Sequence, residues 1–146
     1  MLVKRWLPAI IVMVLIFCFS SLPEKRVGQL TQPGIDFLNK VVEKVNRAYP
    51  EDIDWLKIGH VIGYALLAIA FRHALMQYPR VKIPNILSPL FSFLYSITDE
   101  FHQIFVPGRS SELRDILIDT SAASLAILLI LIINKITGLR KLVKTN

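Results

Sequence analysis

The chain has 146 residues, of which 53% are hydrophobic, and a mean hydropathy of +0.51, so it is more apolar than a soluble domain usually is. Its net charge is +6, but the basic residues flank apolar blocks and do not gather on one helix or arm. That arrangement is typical of membrane proteins and places nucleic-acid binding last among the function classes. The single cysteine, Cys18, excludes an intramolecular disulfide and a cysteine zinc cluster.

The first apolar run, over residues 6–22, follows Lys4 and Arg5 and is about long enough to cross the hydrocarbon core of a bilayer. A basic start followed by an apolar run also fits a secretory signal. The stretch FSSLPE at the end of the run fits a cleavage site poorly, because the small-x-small pattern is missing. We therefore expect a retained first transmembrane helix, with Pro8 tolerated in its first turn.

The polar connector that follows, residues 23–57, contains several prolines and glycines. Within it, apolar residues recur at helical spacing over residues 35–48, with charged residues on the opposite side. This pattern predicts a short amphipathic helix that either caps the helix bundle or lies in the membrane interface.

Further apolar segments lie at residues 58–76, 87–105 and 116–133. Together with the first run they predict an all-α integral membrane protein with four transmembrane helices, in one domain covering residues 1–146. With a cytoplasmic N-terminus, the inner segments carry basic residues and no acidic one, whereas the acidic residues all fall on the outer side. The positive-inside rule therefore favours cytoplasmic N- and C-termini.

Two patterns of small residues bear on how these helices would pack. Gly59 and Gly63 form a small-xxx-small pair, a weak indication of close helix approach. Ser88, Ser92 and Ser96 recur every four residues on the third segment, where we expect hydrogen bonds to a neighbouring helix.

Polar residues cluster at the outer ends of the last three segments and in the loop between the last two. They are Lys57, His60 and Tyr64; Asp99, Glu100 and Gln103; Arg109 in the loop; and Arg114, Asp115 and Asp119. Ionisable side chains inside a membrane are costly, so they usually face a bundle interior or a polar cavity and mark function. Helical spacing puts Lys57, His60 and Tyr64 on one stripe. It also allows the pairs Asp99 and Gln103, Glu100 and Gln103, and Asp115 and Asp119 to point into the same cavity. The sequence thus predicts a polar pocket open to the extracytoplasmic side.

Several kinds of chemistry fit such a pocket. Lys57, Arg109 and Arg114 suit a phosphate or carboxylate, since arginine offers a two-pronged donor geometry. Glu100, Asp99 or His60 would serve as general acid or base if burial moved a pKa towards neutrality. Alternatively, the basic residues neutralise the carboxylates in a structural ion-pair network.

A metal site is a further alternative. Its ligands would be His60, Glu100, Asp115 and Asp119. No HExxH or similar ligand spacing is present, which disfavours a divalent ion. We predict neither a metal nor a cofactor.

The same residues resemble the pattern of the VanZ family, small bacterial membrane proteins associated with resistance to the glycopeptide teicoplanin. The resemblance covers about residues 54–130. Its most specific part is the block DExxQxFxPGR from Asp99 to Arg109, preceded by a lysine, a histidine and a tyrosine in the family's order. Asp119 stands where the family more commonly has asparagine, and Ala122 stands where it has glycine.

The resemblance implies a multi-pass protein of the bacterial cytoplasmic membrane that acts in the cell envelope and confers teicoplanin tolerance. Our leading hypothesis is that the pocket binds an anionic envelope lipid or lipid-linked cell-wall precursor, with Arg109 and Lys57 on the anion. The second is an enzyme that modifies a lipid-linked phosphate, with Glu100 or His60 as acid/base. The third is a structural or partner-binding membrane subunit. Transport ranks fourth, because four short helices leave little room for a pathway.

Overall fold

The computed structural model describes residues 2–23, 26, 29–30, 32–34, 36, 40 and 55–144. Its main helices are α1 (Leu2–Ser20), α2 (Trp55–Met76), α3 (Pro84–Gln103) and α4 (Leu113–Lys144). No strand occurs among the described residues, so the all-helical fold class is confirmed. The predicted amphipathic helix at 35–48 lies outside the described residues except for Asp36 and Lys40, which are helical and exposed.

Three of these helices are long and apolar enough to cross a membrane. The candidate spans, found by searching the described residues alone, are Val3–Ser20, Lys57–Met76 and Leu113–Gly138. The helix α3 is not among them, because serines, acids and amides lower its mean hydropathy. The fourth predicted span therefore stays a prediction.

Contacts at the two ends of the bundle define the directions of the helices. At one end, the Trp6 indole N–H near the start of α1 donates to the Tyr78 hydroxyl just after α2, at 2.8 Å. At the other end, the Ser20 hydroxyl that closes α1 donates to Asp99 near the end of α3, at 2.9 Å. Thus α2 runs antiparallel to α1, and α3 runs parallel to α1.

The apolar core lies around α2. A larger cluster joins Tyr64, Leu67 and Phe71 of α2 to Ala9 and Ile16 of α1. A smaller cluster of Ala68, Ala123 and Ile127 joins α2 to α4, and its alanines allow the two backbones to approach closely. Because α2 is packed on both sides, polar residues at its first turns are held in the interior of the bundle.

Of the two glycines in α2, Gly63 is packed against α1 and Gly59 is not. A Cβ atom placed on Gly63 would lie 3.3 Å from Ile16 Cγ1, whereas one on Gly59 would meet nothing within 4 Å. Close approach of α1 therefore depends on Gly63.

The serine stripe of α3 is fully buried, but its hydrogen bonds are local. The Ser92 hydroxyl donates to the Ser88 carbonyl, and the Ser96 hydroxyl donates to the Phe93 carbonyl, both at 3.1 Å. The prediction of hydrogen bonds to a neighbouring helix is wrong for these two residues. The physical reason is that a serine hydroxyl can reach a carbonyl of the preceding turn without any neighbour.

Candidate functional site

Polar side chains from all four helices named above meet at the end of the bundle where α1 and α3 finish and α2 and α4 begin. We call this set the polar cluster. Its members are Ser20, Lys57, His60, Tyr64, Asp99, Glu100, Gln103, Asp115 and Asp119. Asp99, Glu100 and Asp119 are at most 3% exposed. Carboxylates are almost never so buried unless other groups compensate them, so each partner in the cluster matters.

Asp99 is the carboxylate with the most contacts in the polar cluster. One of its oxygens, Oδ2, accepts hydrogen bonds from the Ser20 hydroxyl at 2.9 Å and from the Gln103 amide at 3.2 Å. The His60 Nδ1 atom is 4.0 Å from the same oxygen. The other oxygen, Oδ1, is buried with no hydrogen-bond partner in the part of the chain that the structure describes.

His60 lies between two buried carboxylates. Its Nδ1 atom is 3.6 Å from Asp119 Oδ2, slightly longer than a hydrogen bond, and its ring stacks on that of Tyr64 with centroids 6.1 Å apart. Considering described residues only, His60 Nδ1, the Tyr64 hydroxyl and both Asp119 oxygens are buried without a hydrogen bond. Unsatisfied buried polar atoms are rare in proteins, so these atoms are candidates for contact with water, an ion or a ligand.

Glu100 is bound to the loop that precedes α4. Its Oε1 atom accepts a hydrogen bond from the Gln103 amide at 3.3 Å, and its Oε2 atom accepts one from the Glu112 backbone N–H at 3.0 Å. The first N–H groups of a helix lack partners within the helix, and a carboxylate there is favoured. Glu100 therefore holds the loop and the start of α4 against α3.

The polar cluster reaches the surface through an ion pair between the first turns of α2 and α4. Lys57 Nζ is 3.0 Å from Asp115 Oδ1 and 3.8 Å from Glu112 Oε2. Side-chain exposure falls from 46% at Glu112 and 38% at Lys57 to 22% at Asp115, 19% at His60 and 2% at Asp119. Polar residues about one helical turn apart, from Lys57 to His60 and from Asp115 to Asp119, thus form a polar path from the surface to the buried carboxylates.

The two predicted arginines lie outside the buried part of the cluster. Arg109 donates from Nη2 to the Phe19 carbonyl at 3.1 Å and from Nε to the Leu22 carbonyl at 3.3 Å. The last carbonyls of a helix lack intrahelical partners, so a cation suits the end of α1. Gly108, with φ of 81°, makes the turn that precedes Arg109. Arg114 is exposed, and none of the described residues pairs with it.

The end of α1 contributes to the polar cluster, which the sequence motifs did not predict. Ser20 is fully buried against Asp99, and the Ser21 hydroxyl is 3.0 Å from His102 Nε2. The signal was present, because two serines that end an apolar helix need polar partners if that end is buried.

Within the described residues no group of three or more His, Cys, Asp or Glu side chains is placed to hold a metal ion.

Comparison with known proteins gives one family. The family model described as VanZ/LLP1 matches residues 5–134, a range that includes every member of the polar cluster. The resemblance first seen over residues 54–130 is confirmed and extends through α1. No curated protein and no solved structure matches the chain.

Proposed function

The chain belongs to the VanZ/LLP1 family, and on this premise we propose that it is a multi-pass protein of the bacterial cytoplasmic membrane whose polar cluster binds an envelope lipid. The ligand class is an anionic lipid or a lipid-linked cell-wall precursor. The observation that carries the proposal is the set of buried polar atoms on His60, Tyr64, Asp99 and Asp119 that have no hydrogen bond within the described residues. They lie at the inner end of the polar path from the surface.

The surface pattern of α3 supports a fourth membrane span. Its exposed large residues are apolar: Ile86, Leu90, Leu94, Ile97 and Phe101. Its buried residues are polar: Ser88, Ser92, Ser96, Asp99, Glu100 and Gln103. A helix with apolar residues outside and polar residues inside is suited to lipid and unsuited to water. We therefore place α3 in the membrane with the other three helices.

The distribution of charge supports cytoplasmic termini. Arg5 and Arg72 lie at the end of the bundle opposite the polar cluster, where Arg5 donates to the Gln77 carbonyl and Arg72 to Asn85. The turn between α2 and α3, with Arg80 and Lys82, is at that same end. The positive-inside rule places this basic end in the cytoplasm, so the polar cluster faces the outside.

The charges of the cluster restrict the ligand. Asp99 and Asp119 would repel a bare anion, but they would accept hydrogen bonds from hydroxyl or amine groups of a lipid head. Lys57 at the exposed rim would contact the phosphate, since its present partners Asp115 and Glu112 are themselves partly exposed. A lipid head that contains a phosphate and also a glycerol, a sugar or an amine would offer donors to the carboxylates and an anion to Lys57.

Lipid retention by the purified full chain tests the proposal. The protein in detergent is incubated with phosphatidylglycerol or with phosphatidylcholine, and retained lipid is measured by mass spectrometry. We expect a preference for phosphatidylglycerol that falls about tenfold or more in His60→Gln, because the proposed hydrogen bond between the His60 ring and the lipid head would be lost. The matched control is His73→Gln, an exposed histidine at the opposite end of α2. Equal retention of both lipids, or no difference between the two variants, would contradict the proposal.

An enzyme that modifies the bound lipid is the second candidate, favoured by the position of His60 between Asp99 and Asp119. A base oriented by an adjacent carboxylate is a common feature of acid–base catalysis. The same incubations would then yield a new lipid species with the wild type and none with Asp119→Asn, while phosphatidylglycerol is still retained.

In cells, we expect wild-type expression to raise teicoplanin tolerance and Arg109→Ala to abolish that gain at equal protein level.

A further inference from the structure

An apolar groove lies along the seam between α2 and α4. It has a volume of about 380 Å³, at the lower end of the range of ligand pockets. One wall is Val61 of α2, and the remaining apolar lining comes from α4, with Leu117, Ile118, Ala122 and Leu125. Arg114 lines the outer end of the groove. The groove is therefore apolar over nearly all of its lining, and Arg114, which lines it through its apolar atoms, brings a cation to one end.

The length of the groove matches half of a bilayer. From Arg114 to Leu125 the axis of α4 advances about 16 Å, at ~1.5 Å per residue. The hydrocarbon core of a membrane is about 30 Å thick, so the groove would extend through about one leaflet. Its lining includes the small residues Ser121 and Ala122 between the exposed Leu117 and Leu125. This shape fits a single extended hydrocarbon chain.

The cation at the outer end is available for a ligand. Arg109 is occupied by carbonyls of α1. Lys57 shares its charge with Asp115, at 3.0 Å, so Arg114 is a second cation at this end of the bundle. Arg114 is exposed and makes neither a hydrogen bond nor an ion pair with any residue that the structure describes. A guanidinium group beside an apolar groove is complementary to a phosphate that is attached to a hydrocarbon chain.

We propose that this groove seats one acyl chain of an anionic phospholipid and that Arg114 binds the phosphate together with Lys57. The inference rests on the proposed function, because it supplies the chain-binding part of a site whose headgroup part is the polar cluster. The two parts lie on neighbouring faces of the same two helices, since Val61 follows His60 on α2 and Ile118 precedes Asp119 on α4. A lipid seated here would have its head at the first turn of α4, beside Asp115.

Photocrosslinking tests the groove. The full chain is reconstituted in phosphatidylcholine vesicles that contain a minor fraction of phosphatidylglycerol with a photoreactive acyl chain, and crosslinks are located by mass spectrometry. We expect them to concentrate at residues 117–125 and at Val61. Ser121→Leu places a larger side chain in the lining of the groove and removes these crosslinks, whereas Ser124→Leu leaves them unchanged. The two serines are matched, because both are exposed and both donate to the carbonyl four residues earlier, at 2.7 and 2.8 Å.

Charge is tested separately with Arg114→Gln. We expect the yield of groove crosslinks from phosphatidylglycerol to fall about fivefold, with no change for a photoreactive phosphatidylcholine. Helix content measured by circular dichroism verifies that each variant is folded. Crosslinks spread evenly over α1 and α4, or an equal effect of Ser121→Leu and Ser124→Leu, would overturn the inference.

The two experiments distinguish lipid binding in the groove from lipid binding by the polar cluster. If His60→Gln lowers phosphatidylglycerol retention while Ser121→Leu leaves the groove crosslinks unchanged, lipid binding by the polar cluster stands and the groove is rejected. If groove crosslinks depend on Ser121 and Arg114 while His60→Gln has no effect, the polar cluster is not the headgroup site and the groove alone binds lipid.

Discussion

Asp119 has surroundings that a buried carboxylate rarely has. It is 1% exposed, and neither of its oxygens accepts a hydrogen bond from a described residue. Its nearest basic group is the His60 ring, which is charged only when protonated. Leaving such a group unsatisfied costs about 1–3 kcal/mol, more when it is charged. Positions that cost stability in this way are expected at functional sites.

The stability of a variant in which Asp119 is replaced by a neutral residue should therefore distinguish a functional site from a structural ion-pair network. We expect Asp119→Asn to unfold at the same or a higher temperature than the wild type, because it removes a poorly compensated charge. Asp99→Asn should lower stability by about 1–2 kcal/mol, because Asp99 accepts two side-chain hydrogen bonds. Thermal unfolding in detergent, followed by circular dichroism, measures both. A structural ion-pair network predicts instead a loss of about 3–5 kcal/mol for Asp119→Asn.

The sequence predicts which residues of one helix meet in the polar cluster, because helical spacing determines the face on which they lie. His60 and Tyr64 are one helical turn apart, as are Asp99 and Gln103, so each pair had to share a helix face. The contacts of Arg109 could not be predicted. They depend on the left-handed turn at Gly108 and on where α1 ends in space, and neither follows from local spacing.

The packing of α1 against α2 can be tested by substitutions at Gly63 and Gly59. Because a Cβ atom on Gly63 would press against Ile16, we expect Gly63→Leu to lower stability by about 1–3 kcal/mol through overpacking. Gly59 faces open space, so Gly59→Ala should raise stability by about 0.5–1 kcal/mol through reduced backbone entropy. Thermal unfolding of the two variants in the same detergent measures these changes. Equal effects at the two glycines would contradict the packing of α1 against Gly63.

The element α3 shows why hydropathy identified some helices better than others. Its predicted range, 87–105, lies close to the observed Pro84–Gln103, yet only α1, α2 and α4 contain candidate membrane spans. Mean hydropathy averages over the whole circumference of a helix. In α3 the polar residues face inward, so an exposed apolar stripe such as Leu90, Leu94 and Ile97 is diluted in the average.

The orientation of the whole molecule is tested by labelling single cysteines. In a Cys18→Ser background, Ser111→Cys places a thiol in the exposed loop at the polar-cluster end, and Ile83→Cys places one in the exposed turn at the basic end. A membrane-impermeant maleimide applied to intact cells should label Ser111→Cys only, and Ile83→Cys should react only after permeabilisation. The reverse pattern would place the polar cluster in the cytoplasm and reject an outward-facing site.

The contacts at the end of α1 also determine when this protein can finish folding during synthesis. Ser20, Phe19 and Leu22 bind partners on Asp99 and Arg109 that lie 79 to 90 positions further along the chain. Ribosomes add about 5–20 residues per second, so roughly 5–20 s pass between synthesis of the two halves of each contact. During that interval the end of α1 must be satisfied by water or lipid heads. The helix α1 therefore cannot reach its final position before Arg109 has been synthesised.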